Sequence, residues 1–298
     1  MSVLQFSIIF AFLAMLCWGV GDFFIQRTVK KLGDFKTLLW INFIGGLGLT
    51  PFIIKDLPVI FTGLNLLSLV IMTIIQLAYG MFLFKAYDRG KLSVVEVVMI
   101  GELPVTIILG LIFFGERLSW SQLLIVIVII SGIFFISKTR GNWLDRIKEF
   151  FTGRRRIWEK GVIFSIGAVL FSAAYNFFTA FNSREISAFT AVWFPWLLSS
   201  LILLVYAIWK QGWKSFRQES YSAWRLILIT GVLDTLGWLS YALALIKEEL
   251  SIITAIVAGY AVIAMILGIK FNKEKIGAWQ YFGAALVFGG AIAMCFLT

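Results

Sequence analysis

Four acidic residues lie inside long apolar stretches of the sequence: Asp22, Glu96, Glu102 and Asp234. A charged side chain at the centre of a lipid bilayer is costly, so it is neutralised, paired or turned towards a water-filled cavity. Glu102 and Asp234 are each the ninth residue of their stretch, which places them roughly 13 Å along a helix. We predict that these two acids bind a substrate ammonium group or a transported proton near mid-bilayer. The alternative is a neutral carboxyl that hydrogen-bonds a neighbouring helix.

Asp22 and Glu96 lie closer to the ends of their stretches. Asp22 is about one helical turn from Arg27, and Glu96 is about one turn from Lys91. A carboxylate at this depth reaches interfacial water or a neighbouring base. This spacing favours a tethering salt bridge or a place on the rim of a cavity, with direct substrate binding as the alternative.

Aromatic side chains recur beside these acids at helical spacing. Trp18 precedes Asp22 by four residues, and Trp238 follows Asp234 by four, with Tyr241 three residues further on. An aromatic face beside a carboxylate suits flat or cationic organic molecules. Because the chain contains 29 Phe and 12 Trp, an ordinary packing stripe is the alternative interpretation.

Pro104 follows Glu102 within the same apolar stretch. Proline leaves the carbonyl four residues earlier without its helical donor and bends a helix. In a membrane that carbonyl is satisfied by a neighbour, by water or by the substrate. We predict a hinge at Pro104, the alternative being a packing kink without a role in function.

The composition indicates which kind of fold must position these residues. Hydrophobic residues make up 60% of the 298 residues, charged residues make up 14%, and the mean hydropathy is +0.94. A globular protein has about 45–50% apolar and about 25% charged residues. The composition therefore indicates an integral membrane protein and excludes a soluble enzyme.

The available side-chain chemistry narrows the function further. The chain has no histidine, and Cys17 and Cys295 both lie in apolar stretches, so imidazole catalysis, a disulfide framework and a thiolate metal cluster are not expected. The sequence also lacks a Gly-rich phosphate loop with its Lys-Ser/Thr pair. We expect no enzymatic activity, no cofactor and no metal, and an ion gradient or the solute's own gradient as the driving force.

Ten apolar stretches are long enough to form helices that cross a bilayer core of about 30 Å. Helices are the expected form, because every backbone amide is then satisfied within its own segment. The stretches are residues 6–25, 37–54, 64–84, 94–114, 119–137, 162–181, 188–209, 226–246, 252–269 and 277–297. The predicted fold class is an all-α integral membrane protein with ten transmembrane helices.

The longest connection, residues 138–159, has its own pattern. Five apolar side chains fall on one helical stripe, and three consecutive arginines follow them: Trp143, Leu144, Ile147, Phe150 and Phe151, then Arg154, Arg155 and Arg156. This pattern predicts an amphipathic helix in the membrane interface, held to anionic lipid headgroups by its charge. A lipid-regulated docking site is the alternative, and the net charge of +10 indicates contact with phospholipid rather than with nucleic acid.

The basic residues are distributed unevenly along the chain. All but four of the 26 Lys and Arg residues lie in the connections after the first, third, fifth, seventh and ninth stretches. Basic residues in short loops stay cytoplasmic. The distribution predicts a protein of the cell membrane with a cytoplasmic linker and both termini extracytoplasmic.

The chain contains an internal repeat. A shift of 158 residues superimposes 92–132 on 250–290 without a gap, and the identities include Leu92/Leu250, Ser93/Ser251, Gly101/Gly259, Glu116/Glu274, Gln122/Gln280 and Gly132/Gly290. Residues 1–137 and 160–298 are then two five-helix repeats joined by the linker. Because five is odd, the second repeat enters the membrane from the opposite side, the arrangement of carriers that alternate access around a central cavity.

The repeat adds further candidates for substrate binding. Gln76 corresponds to Asp234 under the shift of 158, with Tyr79 one turn beyond, and Tyr260 corresponds to Glu102. A shift of 154 near the start of each half places Asn176 on Asp22. The candidate substrate-binding residues are therefore Trp18, Asp22, Gln76, Tyr79, Glu96, Glu102, Asn176, Asp234, Trp238, Tyr241 and Tyr260.

Several of these residues stand in motifs that resemble those of the EamA-type members of the drug/metabolite transporter superfamily. The motifs are Cys17-Trp18-Gly19, Glu102-Leu103-Pro104, Gly115-Glu116-Arg117-Leu118-Ser119 and, in the second half, Lys273-Glu274-Lys275-Ile276 with Gln280 and Gly290. The resemblance implies a ten-helix transporter. The chain departs from the family in two ways: family members are usually drawn with cytoplasmic termini, and the second half has Tyr260 and Val262 in place of Glu102 and Pro104.

These observations predict a secondary carrier for amino-acid-like or aromatic metabolites that works by alternating access. Export is the expected direction, and protons are the candidate coupling ion. The alternatives are a membrane-embedded enzyme or lipid-handling protein, and a scaffold that transports nothing.

Overall fold

The computed structural model describes residues 3–137, 160–274 and 277–297, and every regular element within these ranges is helical. The first half contains α1 (Val3–Leu32), α2 (Asp34–Leu49), a 3-10 turn (Thr50–Phe52), α3 (Leu57–Ile60), α4 (Gly63–Arg89), α5 (Leu92–Met99), α6 (Glu102–Leu109), a π-helical turn (Gly110–Phe114) and α7 (Trp120–Ser137). The second half contains α8 (Lys160–Glu185), α9 (Ala188–Gln211), α10 (Trp213–Ser222), α11 (Trp224–Ala244), α12 (Leu250–Val257), α13 (Tyr260–Asn272) and α14 (Ala278–Leu297). The predicted interfacial helix of the linker lies outside the described residues.

Several of these helices are long and apolar enough to cross a membrane. Within the described ranges there are six: Gln5–Leu32, Gly63–Arg89, Gly161–Glu185, Ala188–Lys210, Trp224–Ala244 and Leu250–Asn272, with shorter apolar helices at Glu102–Phe114, Trp120–Gly132 and Tyr281–Met294. Large apolar side chains cover the outer surface, among them Leu64, Val205 and Trp209. The protein is a multi-pass membrane protein whose described elements are all helical. A helix or a broken helix coincides with each of the ten predicted stretches, and the number of crossings remains a prediction.

The fourth and ninth predicted stretches are each broken into two helices at the same place in the repeat. Residues 100–101 separate α5 from α6, and residues 258–259 separate α12 from α13. The N–H of Gly101 or Gly259 bonds the carbonyl three residues earlier, at 3.0 and 3.4 Å respectively. This tighter turn replaces the ordinary helical hydrogen bond, and it occurs in both halves with a shift of 158.

Pro104 is the third residue of α6 and lies after this break rather than in it. The carbonyl of Ile100, four residues before the proline, accepts the N–H of Leu103 at 3.0 Å. Val262 occupies the corresponding position of the second half, where the helix is broken in the same way. The break therefore does not require proline, and a hinge role for Pro104 remains a prediction.

The helices pack into two bundles, each drawn from both halves of the chain. Bundle one consists of α1, α11, α12 and α13, and α1 packs against the other three helices. Bundle two consists of α4, α5, α6 and α8, and α8 packs against the other three. The repeat converts one bundle into the other. Helices α2 and α9 pack against each other beside the bundles, and α7 pairs with α14.

Small residues allow close helix contacts in this arrangement. A side chain at Gly45 in α2 would meet the Trp196 ring of α9 and would come within 2.7 Å of the Thr235 hydroxyl of α11. Such contacts at small residues are the usual means by which membrane helices approach each other. Gly45 thus fixes the position of α2 against the second half.

Candidate functional site

A cavity lies between the two bundles, and most of the predicted binding residues line it. Bundle one contributes Trp18, Asp22, Asp234, Trp238 and Tyr260, and bundle two contributes Gln76, Tyr79, Glu102 and Asn176. Helices α2 and α9 close the side of the cavity with Asn42 and Trp196. The structure therefore brings together residues that are far apart in the sequence. Each bundle supplies both acidic and aromatic side chains.

The cavity is acidic. Asp22, Glu102 and Asp234 line it and are 6%, 8% and 8% exposed. Asp22 lies close enough to the other two acids, and to Glu96, to interact with them electrostatically. Among the described residues that line the cavity, none is Lys or Arg. A cationic group would supply the missing countercharge at low dielectric, where charge pairing is strong.

Glu102 has a partner from the neighbouring helix of its own bundle. The Ser172 hydroxyl of α8 donates to Oε2 of Glu102. One turn further along α8, the Asn176 amide donates to the Thr106 hydroxyl at 3.5 Å. The Ser172 contact holds the Glu102 carboxyl group at the cavity wall.

Glu96 lies behind the cavity wall rather than in it. This side chain is fully buried, and its Oε1 accepts a hydrogen bond of 2.6 Å from the Tyr87 hydroxyl, while Tyr87 itself lines the cavity. Within the described part of the chain, Oε2 of Glu96 has no hydrogen-bond partner. Tyr87 therefore connects the cavity to a buried carboxyl.

Aromatic rings form the wall around the acids. Trp238 lies 4.7 Å from Trp18 and 4.5 Å from Tyr175 between ring centroids, and Tyr260 lies 6.0 Å from Trp18. Tyr241 packs behind this wall, 5.3 Å from Trp18, and is outside the cavity lining. Ring faces of this kind bind aromatic molecules by stacking and cations through the ring quadrupole.

The cavity is also lined by residues that are not among those predicted from the sequence: Asn42, Tyr87, Ser172, Tyr175 and Trp196. Gln76 and Asn42 form an amide pair at 3.2 Å, and the Trp196 indole donates to the Tyr175 hydroxyl at 3.0 Å. The shift of 154 residues contains a signal for one of these residues, Ser172, because it pairs Ser172 with the candidate Trp18. It also pairs Asn42 with Trp196, but neither of these two is a candidate. Tyr87 has no comparable signal in the sequence.

The fold and cavity define a helical membrane protein built from two repeats, and the chain belongs to the EamA-like transporter family. The family matches residues 5–138 and 159–296, one match for each repeat. Membership supports a membrane transporter of small solutes.

Two known proteins are similar to this chain. An uncharacterized protein of Methanocaldococcus jannaschii is 26% identical over 132 residues, which are 44% of this chain and 96% of that protein. A protein of known crystal structure shares the fold with a TM-score of 0.71, covering 98% of this chain and 96% of its own, at 13% sequence identity.

Proposed function

We propose that this protein is a secondary carrier for small organic solutes that bear an ammonium group, either amino-acid-like or aromatic. The observation that carries this proposal is the cavity between the bundles, where three carboxyl groups face aromatic rings and none of the described lining residues is basic. In this proposal, Asp22, Glu102 and Asp234 hold the ammonium group, and Trp18 and Trp238 contact the apolar part of the solute.

The neutral side of the cavity suits the rest of an amino-acid-like solute. Asn42 and Gln76 line the cavity from α2 and α4, and Asn176 lines it from α8. An amide N–H₂ group donates hydrogen bonds to a carboxylate without needing a charge. The ammonium group of a zwitterion can thus bind the acids, and its carboxylate can accept hydrogen bonds from the amides. An organic anion without an ammonium group is repelled by the acids.

Protons are the proposed coupling ion, with Glu96 and Tyr87 as the route. Buried ionisable groups that connect to a cavity are typical of proton relays in transporters. The Tyr87 hydroxyl contacts Glu96 directly, so a proton on Glu96 is separated from the solute by one side chain. Binding of a cation near Asp22 would then favour loss of this proton, since positive charges repel each other.

The repeat supports a mechanism of alternating access. The two bundles exchange under the repeat, so one geometry opens the cavity to one side and its counterpart opens it to the other. The charge distribution favours a cytoplasmic location for the connections that follow the first, third, fifth, seventh and ninth predicted stretches, and export is the proposed direction.

Counterflow in proteoliposomes tests the proposal with a matched set of solutes. 2-Phenylethylamine, phenylalanine and phenylacetate share a phenyl ring and carry an ammonium group, an ammonium group with a carboxylate, and a carboxylate, respectively. We expect exchange of the amine or the amino acid, exclusion of phenylacetate and acceleration by an imposed pH gradient. Glu102→Gln should reduce exchange, whereas Asp88→Asn, at an exposed acid of α4, should not. Equal exchange of phenylacetate, or no exchange of any of the three, would contradict the proposal.

A further inference from the structure

Glu116, which follows the π-helical turn after α6, caps a helix of the other half. Its carboxylate accepts the backbone N–H groups of Leu250 and Ser251 at 2.6 and 3.0 Å, and the Ser251 hydroxyl at 2.6 Å. These donors belong to the first turn of α12, whose N–H groups have no partner within the helix. Glu116 is 9% exposed, so the contact is largely shielded from water.

Glu274, which follows α13, makes the corresponding contact in the opposite direction. Its carboxylate accepts the backbone N–H groups of Leu92 and Ser93 at 3.2 and 3.0 Å, in the first turn of α5. The shift of 158 that converts Glu116 into Glu274 also converts both donors of one contact into those of the other. The two caps are thus a reciprocal pair built into the repeat.

The two caps lie at opposite ends of the cavity. The broken helix α5–α6 begins at the Glu274 contact and ends beside Glu116, whereas α12–α13 begins at the Glu116 contact and ends beside Glu274. In agreement, α5 packs beside α13 and α6 beside α12. The two broken helices therefore run antiparallel, and Glu274 marks the end at which most of the described Lys and Arg residues lie.

Each cap also joins one bundle to the other. Glu116 extends from bundle two to α12 of bundle one, and Glu274 extends from bundle one to α5 of bundle two. A carboxylate bound to helical N–H groups forms strong, charge-assisted hydrogen bonds and is favoured by the helix dipole. Separation of the bundles at one end must break the cap at that end, while the other cap can remain.

We propose that Glu116 and Glu274 are the two gates of the carrier, each holding the bundles together at one end of the cavity. This inference rests on the alternating-access mechanism proposed above. Opening towards one side releases one glutamate from its helix and leaves the other in place. In the structure both contacts are formed, which corresponds to closure at both ends.

The two gates differ in strength. Glu116 also binds the Ser251 hydroxyl and lies 3.7 Å from the Arg184 guanidinium. Glu274 has backbone hydrogen bonds of 3.2 and 3.0 Å, against 2.6 and 3.0 Å for Glu116, and its side chain is less buried. It also accepts a hydrogen bond of 3.4 Å from the Asn272 amide. The gate at Glu274 is therefore the weaker one, and we expect the unmodified protein to open more often at the end that carries most of the basic residues.

Accessibility of a single cysteine tests this assignment without any transported solute. The reporter is Ser172→Cys, in the cavity at the middle of α8, in a background in which Cys17 and Cys295 are replaced by Ala. A membrane-impermeant maleimide is applied from either face, using spheroplasts and inside-out vesicles. We expect Glu116→Gln to raise the labelling rate from one face and Glu274→Gln to raise it from the opposite face, each by roughly three- to tenfold.

Two controls match the gates in charge and location. Glu185→Gln lies beside Arg184 at the Glu116 end, and Asp88→Asn lies near the start of α5 at the Glu274 end; both side chains are exposed. Neither is expected to change labelling from either face. A milder variant, Ser251→Ala, removes one donor of the Glu116 gate and should give a smaller increase from the same face as Glu116→Gln, even if the glutamate variant folds poorly.

The pattern of labelling decides between the gates and a purely structural role. An increase from both faces in each single variant, an increase from the same face in both, or no increase at all would overturn the assignment. Because labelling needs no solute, mirrored labelling combined with failed counterflow would refute the proposed solute class and leave the gates standing.

Discussion

Glu102 is the cavity acid whose replacement by Gln gives the sharpest test of the proposed binding site. The carboxylate lines the cavity, is 8% exposed and accepts a hydrogen bond from Ser172. Gln has nearly the same shape, and its amide oxygen can accept the same hydrogen bond. The substitution Glu102→Gln therefore removes the charge while it keeps the packing.

The expected loss of affinity follows from the position of this charge. Two unit charges about 4 Å apart attract each other by about 1 kcal/mol in water and by about 4 kcal/mol at an effective dielectric constant of about 20. Glu102 lies between these limits because it is nearly buried but still faces the cavity. A loss of about 2 kcal/mol corresponds to binding of an ammonium solute that is weaker by about thirtyfold.

Isothermal titration of the detergent-purified protein with 2-phenylethylamine measures this loss. Ser172→Ala is the matched control, because it keeps the carboxylate and removes only the hydroxyl, and we expect a smaller loss for it than for Glu102→Gln. A ligand that binds the folded state also raises the apparent melting temperature, which supplies a second measurement. If the folded Glu102→Gln protein bound the amine within about twofold of the unmodified protein, the electrostatic reasoning would be refuted.

Two further predictions concern stability. Gly45→Ala should lower the free energy of unfolding by about 1–3 kcal/mol, because the added methyl group overpacks against Trp196. Gly48→Ala should leave stability unchanged, because nothing lies within 4 Å of a side chain there. Thermal unfolding in detergent compares the two variants, and equal melting temperatures would contradict the prediction. Partial burial, followed by the nearby Glu116 carboxylate, raises the pKa of Glu249 above its ordinary value. The folded protein then holds this proton more tightly than the unfolded chain does. Stability therefore falls as the pH rises from the pKa of Glu249 in the unfolded chain to its pKa in the folded protein. Glu249→Gln should raise the melting temperature at about pH 8 and leave it unchanged at about pH 3.5.

The sequence predicts the helical membrane fold because composition alone excludes an aqueous environment for this chain. It also predicts the register of the repeat, since paired glycines and glutamates stand out from an apolar background. The breaks at residues 100–101 and 258–259 follow this register, although a proline, Pro104, follows only the first of them. A prediction that places helix breaks only near prolines therefore misses the second break.

Helical spacing brings most of the candidate residues to one cavity, but it does not distinguish the cavity from the layer behind it. Tyr241 shares a helix face with Asp234, yet it packs against Trp18 from behind and bonds Thr254. Glu96 shares its broken helix with Glu102 and is buried against Tyr87. Spacing determines which way a side chain points from its own helix, whereas the neighbouring helix determines what that side chain meets.

From the sequence alone come the membrane environment, the repeat and the set of polar residues that need a shielded place. Only the tertiary structure decides that bundles drawn from both halves enclose these residues, and that Glu116 and Glu274 bind each other's repeats. The physical reason is that the helix faces that pack together and the helix faces that meet lipid are similarly apolar. In a soluble protein the apolar face of a helix points to the core, but in lipid the same pattern carries no direction, and only the packing of the helices supplies it.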